Sequence, residues 1–542
     1  MIVGDPLLPR YAGSTEEVVP ARVWLIGKLT SRWVSEDGVQ HLLDGFMLDG
    51  GMHPVASSGV PDPSVEGYGN FAYLRLNAKS STLEVYADAC ESRNVFYWNK
   101  NDVWILSNDM PLLLELAGER VVDEQSLFGY LECGYLNINR RTLFRGVSKL
   151  KACERLELRF GGDTVRMGLN QYWRPQINVF RLSREEAVET VEANLAGFLK
   201  AAVSLMQRPL TTLTCGTDSN LFYYLLEKYV GRLRSLTHAF DHPAYDEYRL
   251  LEQLRLLTAE NMKIVSYDDV MAFLSDAIGA IGMPINGLAS MGEFKVYRQA
   301  ANLGADALIT GAGDYIWVSA TQAKIDEILA ADCQMHAGDG TVLARTDYFT
   351  DDFRSAHTAL DIPFYSLGIA TTSRLKQHLL DQVFVKRTPH IAFDHSALGN
   401  AFGLECLQPF VERKTIEFCL GLADDCLFFN DQPKSLLVTL LARFNASPFP
   451  RLKMNTPQRE LIRGLFRPAI EDLIMGSRLA SAGYLDSAKL LKLFRHYLDQ
   501  PELGNSYFVW KFIVTEIWYR LFIGGEKADL VPSYPVRRVP IS

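Results

Sequence analysis

Two short loops hold the residue types that could handle a phosphorylated substrate. The first is Thr214-Cys215-Gly216-Thr217-Asp218-Ser219, lying between the apolar, Thr-containing run PLTTL and the helically spaced DSNLFYYLLEKYVG. The second, Thr310-Gly311-Ala312-Gly313-Asp314, follows the apolar run DALI. A loop of small and hydroxyl residues ahead of a helix presents backbone N–H groups to phosphate. Asp218 could cap that helix, or it could hold Mg2+, an ion that takes a carboxylate together with phosphate oxygens. Two such loops, each ending a parallel strand and each carrying one Asp, could hold one Mg2+ between them over a pyrophosphate.

The elements that must position these loops follow from hydrophobic periodicity. From residue 208 onward strands and helices alternate: PLTTLTC, then a helix; RSLTHAF, then EYRLLEQLRLL; KIVSY; then EFKVYRQAANLG leading into DALITG. That alternation predicts a parallel sheet with crossover helices, and ligands of such sheets bind at the carboxyl ends of the strands. Before it, SREEAVETVEANLAGFLKAAVSLM has helical spacing and a helix-start signal. Residues 1–175 read differently. Short apolar runs such as ARVWLIGKL, FAYLRL, TLEVYA and DVWILS are separated by Gly, Asn, Asp and Ser, which predicts a layered antiparallel domain. Residues 320–528 read as mostly helical, with NSYFVWKFIVTEIWYRLFIG as a core helix.

Composition narrows the classes. The 542 residues carry 22% charged and 48% hydrophobic side chains, an ordinary globular balance. Lys+Arg 55 against Asp+Glu 64 gives a net charge of −9 with no basic run, so a surface that tracks nucleic acid is not expected. No apolar stretch is long enough to span a membrane, and the start MIVGDPLLPRYAG lacks the pattern of a signal peptide. The eight cysteines show neither CxxC nor metal-ligand spacing, so the expectation is a reduced, cytoplasmic protein.

The order strand–TCGTDS–helix–strand resembles the SGGxDS pyrophosphate loop of ATP pyrophosphatase domains, and the second loop resembles the TGxGxDE loop of asparagine synthetase class B. Leu404-Glu405 with Gln408-Pro409-Phe410-Val411-Glu412-Arg413 and Ile416-Glu417-Phe418 resembles that family's LE-x-R-x-PFLD-x-R-x-VEF segment. Lys434 in QPKSLL and Lys453 in PRLKMN resemble its two active-site lysines. Upstream, Asp88 with Phe96-Tyr97, Ile105-Leu106-Ser107, TLFRGVSKLKACERLEL and Gln171-Tyr172-Trp173 resemble its class II glutaminase domain. The implied division is a degenerate glutaminase-like α+β domain at 1–178, an α/β synthetase domain at 179–530 and an extended tail at 531–542.

The departures shape the expected activity. A working glutaminase of this kind uses an N-terminal Cys, whereas the sequence starts Met1-Ile2-Val3 and its first cysteine is Cys90. The resemblance therefore points to the branch without glutamine hydrolysis, the lasso-peptide cyclases and β-lactam synthetases. Ala312 stands where β-lactam synthetases carry a Tyr, which favours a peptide macrolactam. In strict register Tyr315 takes the family's metal-binding Asp position; a one-residue deletion would give it to Asp314. Both readings stay open here.

The implied chemistry is adenylation of a carboxylate by ATP with Mg2+, then amide formation by an amine of the same molecule. Asp218 and Asp314 would hold the metal. Thr214, Cys215, Gly216, Thr217 and Ser219 would surround pyrophosphate; Leu213, Leu236 and His238 would lie near adenine; Thr310, Gly311 and Gly313 would line the nucleotide pocket. Lys434 would neutralise pyrophosphate and Lys453 the developing oxyanion. Glu405 reads as a structural partner of a nearby Arg, and Asp246-Glu247 as a helix start or secondary site residues. The expected partners are a peptide or small amino-carboxylate substrate and a biosynthetic maturation protein. The rival readings are a β-lactam synthetase or a ligase using a free amine, and a non-catalytic binding protein on a decayed synthetase fold.

Overall fold

The computed structural model describes residues 23–526 except 27–30, 36–37, 56–61, 64–66, 102, 137, 162–163, 241–244, 254–260, 266–269, 331–346, 358–363, 445–455 and 501–505. Lys453 and the tail at 531–542 thus lie outside the described residues.

The N-terminal strands are β1 (Val23–Ile26), β2 (Ser31–Val34), β3 (Gln40–Leu48), β4 (Tyr68–Asn77), β5 (Thr82–Ala87), β6 (Phe96–Lys100), β7 (Val103–Ser107), β8 (Val147–Lys149), β9 (Glu154–Gly161) and β10 (Thr164–Gln171). Six form a sheet in the order β10-β9-β5-β4-β3-β2, antiparallel throughout, and four form a second sheet, β1-β7-β6-β8. The second sheet departs from the expected antiparallel pattern at one edge, where β1 runs parallel to β7. Alternation explains the layering. Leu83, Val85, Leu156 and Leu158 of the large sheet pack with Tyr97, Trp104 and Leu106 of the small one in a shared core.

The helix Arg184–Ser204 begins at a capping box in which Ser183 and Glu186 satisfy each other's backbone N–H groups. Its apolar face, including Val188, Val191, Leu195, Phe198 and Leu199, joins a core with Leu221, Phe222 and Leu225 of the helix Thr217–Tyr229 and with Leu436, Leu437 and Leu440 of the helix Ser435–Phe444. That packing holds the first Asp loop against the C-terminal helices.

The central sheet contains β11 (Pro209–Thr212), β12 (Ser235–Ala239), β13 (Asn261–Val265), β14 (Ala307–Ile309) and β15 (Glu405–Leu407), in the order β13-β12-β11-β14-β15 and parallel throughout. Strand β15 is an addition to the sequence reading, which took this region as helical; three residues are too few to show a period. The chain moves outward from β11 to β12 and β13 on one side, then returns to lay β14 on the other. The point where the order reverses is therefore the β11/β14 pair, the place where such sheets open a crevice for ligand. Both Asp loops leave the carboxyl ends of these two strands.

The N-terminal layers meet the parallel sheet through buried polar pairs. Arg93 donates to Glu405 on β15 at 2.5 Å, with side chains 0% and 9% exposed. The expected Arg partner of Glu405 thus comes from the other half of the chain. Asn70 and Gln408 exchange side-chain-to-backbone hydrogen bonds (2.9 and 3.3 Å), Asn94 bonds Ser396 and the Phe393 carbonyl, and Trp173 donates to Glu417 at 3.0 Å. The helix Tyr507–Phe522 is buried on nearly all sides, with Trp510 and Trp518 fully enclosed, in keeping with a core role.

Removing one member of a buried ion pair leaves a desolvated charge, at a cost of about 3–5 kcal/mol. Arg93→Met is expected to lower the melting temperature markedly. Arg93→Met with Glu405→Gln is expected to lose clearly less than the sum of the two single changes. Additive losses in a thermal-melting double-mutant cycle would show that the pair is not a unit.

Candidate active site at the β11/β14 crevice

The first loop starts at Leu213, whose N–H bonds the Leu236 carbonyl at 2.9 Å, so both residues extend the β11/β12 ladder. Their side chains are buried in core clusters. With those side chains buried, it is their backbone that lies open to a ligand at the strand ends. The turn then binds itself. The Thr214 N–H donates to Ser219 Oγ (3.0 Å), the two hydroxyls bond at 2.7 Å, and the Gly216 N–H donates to Thr214 Oγ1 (3.1 Å). The Cys215 N–H is taken by the Glu247 carboxylate at 2.9 Å. The Gly216 N–H, expected near pyrophosphate, serves the turn here. Glu247 also opens the helix Glu247–Gln253, while Asp246 pairs with Lys263 at 2.7 Å. Cys215 is buried and its thiol is pushed up to about 12 by burial and by Glu247, so it is an inert thiol.

Asp218 does not cap its helix. Gly216 is the N-cap residue and no side-chain cap forms. The Asp218 carboxylate turns instead toward Lys434, with Oδ2 2.5 Å from Nζ. Lys434 also reaches Asp314 Oδ2 at 2.6 Å. One ammonium therefore bridges the two loops, with the three side chains only 17–23% exposed. Asp218 Oδ1 is buried and finds no partner among the described residues. Burial and the neighbouring Asp314 push the Asp218 carboxyl up to about 6 against the pull of Lys434, whose own pKa is raised by the two carboxylates.

Backbone geometry at this point is unusual. Lys434 and Val318 both hold positive φ (57° and 59°), and the Lys434 N–H bonds the Val318 carbonyl at 2.9 Å. Left-handed backbone at a Val is costly and persists only where its surroundings over-determine it, commonly at functional sites. The second loop needs its glycines. A Cβ at Gly311 would lie 2.9 Å from the Asp218 Cβ, and Gly313 sits at φ +86° with Val411 in the way of any side chain. Thr310 spends its hydroxyl on the Ala312 N–H (3.0 Å). Of the two readings for the second acidic position, the structure puts Asp314 opposite Asp218. Tyr315 turns toward Arg387, whose guanidinium lies 5.9 Å from its ring centre.

His238, at the carboxyl end of β12, packs on Gly292, where a Cβ would sit 2.3 Å from the imidazole, and against Phe240 at 4.8 Å. Its Nε2 is buried and finds no partner among the described residues, and burial with Lys295 nearby pushes the ring down to about 3, so it is neutral.

The N-terminal residues that carry the glutaminase resemblance make local contacts. Asp88 accepts from the N–H groups of Phe71, Cys90 and Ser92 at 2.9–3.0 Å. Cys90 is fully buried and its thiol is raised well above the usual range by burial and Asp88. Glu412 caps the helix Arg413–Gly421, and Arg413 pairs with Glu417 while stacking on Tyr68 and Trp173. The seven described cysteines are all buried free thiols.

The residues fit a Mg2+-nucleotide. No cluster of three or more His, Cys, Asp or Glu suited to a metal occurs among the described residues. Mg2+, however, is commonly held by one or two carboxylates with the substrate's phosphates supplying the rest. Asp218 and Asp314 supply such a pair, and the orphaned Asp218 Oδ1 is a ready ligand.

A model of the Asparagine synthase family matches residues 321–520, a stretch holding Lys434, Lys453 and the Glu405 segment but beginning after both Asp loops. No curated protein matches. Among solved structures the chain is similar to the NAD+ synthetase from Burkholderia pseudomallei, at 14% identity, covering 51% of this chain and 96% of that one, with a TM-score of 0.19. At that score the fold assignment rests on the chain's own topology. No described helix is long and apolar enough to cross a membrane.

Two outcomes follow from these groups. Lys434→Met leaves two carboxylates facing each other and is expected to destabilise the protein by about 2–3 kcal/mol. Adding Asp218→Asn and Asp314→Asn should recover most of that in thermal melts. Separately, Asp394 is buried, bonded by Ser290 Oγ at 3.1 Å and pushed up to about 8 by burial and Glu293, from an ordinary value of 3.8. The folded state then holds a proton that the unfolded state releases, so this stabilisation is complete below about pH 4 and lost as pH rises to about 8. Asp394→Asn should gain stability relative to the parent between pH 5 and pH 8, measured as the change in the melting-temperature gap.

Proposed function

We propose that this protein is an ATP-dependent, AMP-forming amide ligase. The observation that carries the reading is the Lys434 bridge between Asp218 and Asp314 at the sheet's switch point. The Asparagine synthase match over residues 321–520 supports it.

Asp218 and Asp314 would hold Mg2+, which when bound supplies charge neutralisation to the phosphates. Lys434, placed beside both carboxylates, would meet the charge of the released pyrophosphate. The turn at Thr214–Ser219 and the helix it starts orient the triphosphate. Neutral His238, with the β11 and β12 backbone ends, lines the base pocket. In the first step a substrate carboxylate oxygen bonds the α-phosphorus while the bond from that phosphorus to the β-phosphate bridging oxygen breaks, releasing pyrophosphate. In the second an amine nitrogen bonds the acyl carbon, AMP leaves with the bonding pair, and the nitrogen gives up a proton. Lys453 is the residue the sequence resemblance offers for stabilising charge in that step.

The finer reading is an intramolecular amide, a peptide macrolactam of the lasso-cyclase type, with a maturation partner that delivers the peptide; it rests on the sequence resemblance. The buried, protonated Cys90 supports a source of amine other than glutamine hydrolysis at that thiol.

Calorimetric titration with a non-hydrolysable ATP analogue tests the core of the proposal. Binding that requires Mg2+ and weakens by about tenfold or more in Asp218→Ala is expected, the scale of one charged ligand lost. No binding at millimolar nucleotide by the folded protein would overturn it. AMP release during a screen of carboxylates and peptides then tests the product class.

A further inference from the structure

A π-helical turn, Gln382–Lys386, has two neighbours. It packs on the turn Asp314–Trp317 of the second Asp loop. Its residues Phe384, Val385 and Lys386 also line a cavity of about 530 Å3, which neither Asp loop lines. Such turns recur at functional sites, and a space of this size is in the range that holds small molecules and short peptides. The helix Gln322–Ala330 adds Ile328 and Leu329 to the lining, and the helix Arg374–Asp381 adds Gln377, Leu380 and Asp381.

The remaining wall, between Phe364 and Thr371, indicates what kind of ligand fits. It belongs to no strand or helix, and Gly368 at φ +67° turns it. Tyr365 ties it to the N-terminal layers, with its N–H on the Ile138 carbonyl (2.7 Å) and its hydroxyl on the Ala152 carbonyl. Past that tie, the backbone N–H and C=O groups of Leu367, Ile369, Ala370 and Thr371 have no hydrogen bond among the described residues. Main-chain groups in a folded chain are ordinarily paired. A run of free ones beside a cavity is what a peptide-binding wall presents, since main-chain bonds supply affinity there and pockets select the side chains. Gln377 lines the same cavity with a side-chain amide that is free among the described residues. It offers a donor and an acceptor together, as a peptide group does.

Charge narrows the ligand further. Lys386 pairs with Asp381 at 2.5 Å, with side chains 9% and 27% exposed, so the two charges of the lining cancel. A charged ligand would find no unpaired counter-charge here, in contrast to the ionic crevice at the Asp loops. The apolar part of the lining includes Leu329, Leu380 and Phe384, and Phe364 leaves 41% of its surface open to solvent. An uncharged peptide with apolar side chains answers the free backbone, the neutral lining and the apolar surface together.

We infer that this cavity docks an uncharged, apolar stretch of a peptide substrate, away from the reacting groups. The peptide backbone bonds the wall at Leu367–Thr371, and its side chains seat on Leu329, Leu380 and Phe384. The role as substrate anchor rests on the ligase reading, while the peptide chemistry of the cavity does not.

Saturation-transfer NMR of the whole protein tests the site. The probes are acetyl- and amide-capped hexapeptides in which Leu, Val or Phe alternates with Thr or Gln, and the same peptides N-methylated at alternate residues. Capped peptides are expected to bind. Their N-methylated forms should bind about tenfold or more weakly, the scale of two lost hydrogen bonds. Phe364→Glu sets a charge on the apolar rim and should weaken the capped peptides by about tenfold, with affinity for the ATP analogue kept. Should Phe364→Glu fail to fold by thermal melting, Gln377→Ala at an exposed position is expected to weaken them several-fold. No binding by any peptide at millimolar concentration, equal binding of the N-methylated forms, or indifference to the cavity variants would each overturn the inference. So would loss of peptide binding in Asp218→Ala, which would move the peptide to the crevice. Peptide binding without any Mg2+-dependent nucleotide binding would keep the docking site and overturn the ligase reading; nucleotide binding without peptide binding would do the reverse.

Discussion

The structure of the site depends on one ammonium held between two carboxylates. Asp218 and Asp314 sit on separate loops, and two like charges at this distance in a mostly buried crevice repel strongly. Lys434 removes that repulsion and ties together three segments far apart in sequence. It does so from a left-handed backbone conformation anchored to another one at Val318. The glycines of the second loop serve the same end, since any side chain at Gly311 would push the loop away from Asp218. The arrangement stores cost in the backbone and charge in the interior, and a cation-dependent phosphate site is what such an arrangement suits.

The rest of the fold keeps that crevice in place. The reversal of strand order at β11 and β14 opens it. The helices Arg184–Ser204 and Ser435–Phe444 pack on the helix that follows the first loop and so fix Asp218 and Lys434 from one side. From the other edge β15 is anchored to the N-terminal layers by Arg93–Glu405 and by the reciprocal Asn70–Gln408 bonds. Buried polar pairs of this kind add little net stability but specify one docking geometry, because a slipped interface would leave them unpaired. Their place here is between the N-terminal sheets and the parallel sheet that carries both Asp loops.

The polar residues of the N-terminal layers are held by local contacts. Asp88 is present where the resemblance expects it, but its carboxylate holds a turn through three backbone N–H groups. Glu91 nearby is enclosed with Lys149 and Lys151, all three fully buried. These groups are satisfied by one another and by the backbone. The turn at Thr214–Ser219 differs in one respect. Its donors are occupied by its own hydroxyls and by Glu247, groups that could exchange for phosphate oxygens without unfolding anything.

The sequence by itself determined the alternating strands and helices, the helix start at Ser183 and the two Asp loops. Each is local: a period, a cap or a glycine turn is written in a few adjacent residues. The Glu405 pairing was legible as a type of contact, but its partner Arg93 was not, because 312 residues separate them. Only the tertiary structure decided that Asp314 faces Asp218 while Tyr315 faces Arg387. A one-residue shift along a loop leaves composition unchanged and reverses which side chain points inward. Only it revealed β15, too short to carry a period, and the turning of Asp218 from helix cap to ion-pair partner. That choice was set by the approach of Lys434 across 216 residues, a fact of packing that no local pattern contains.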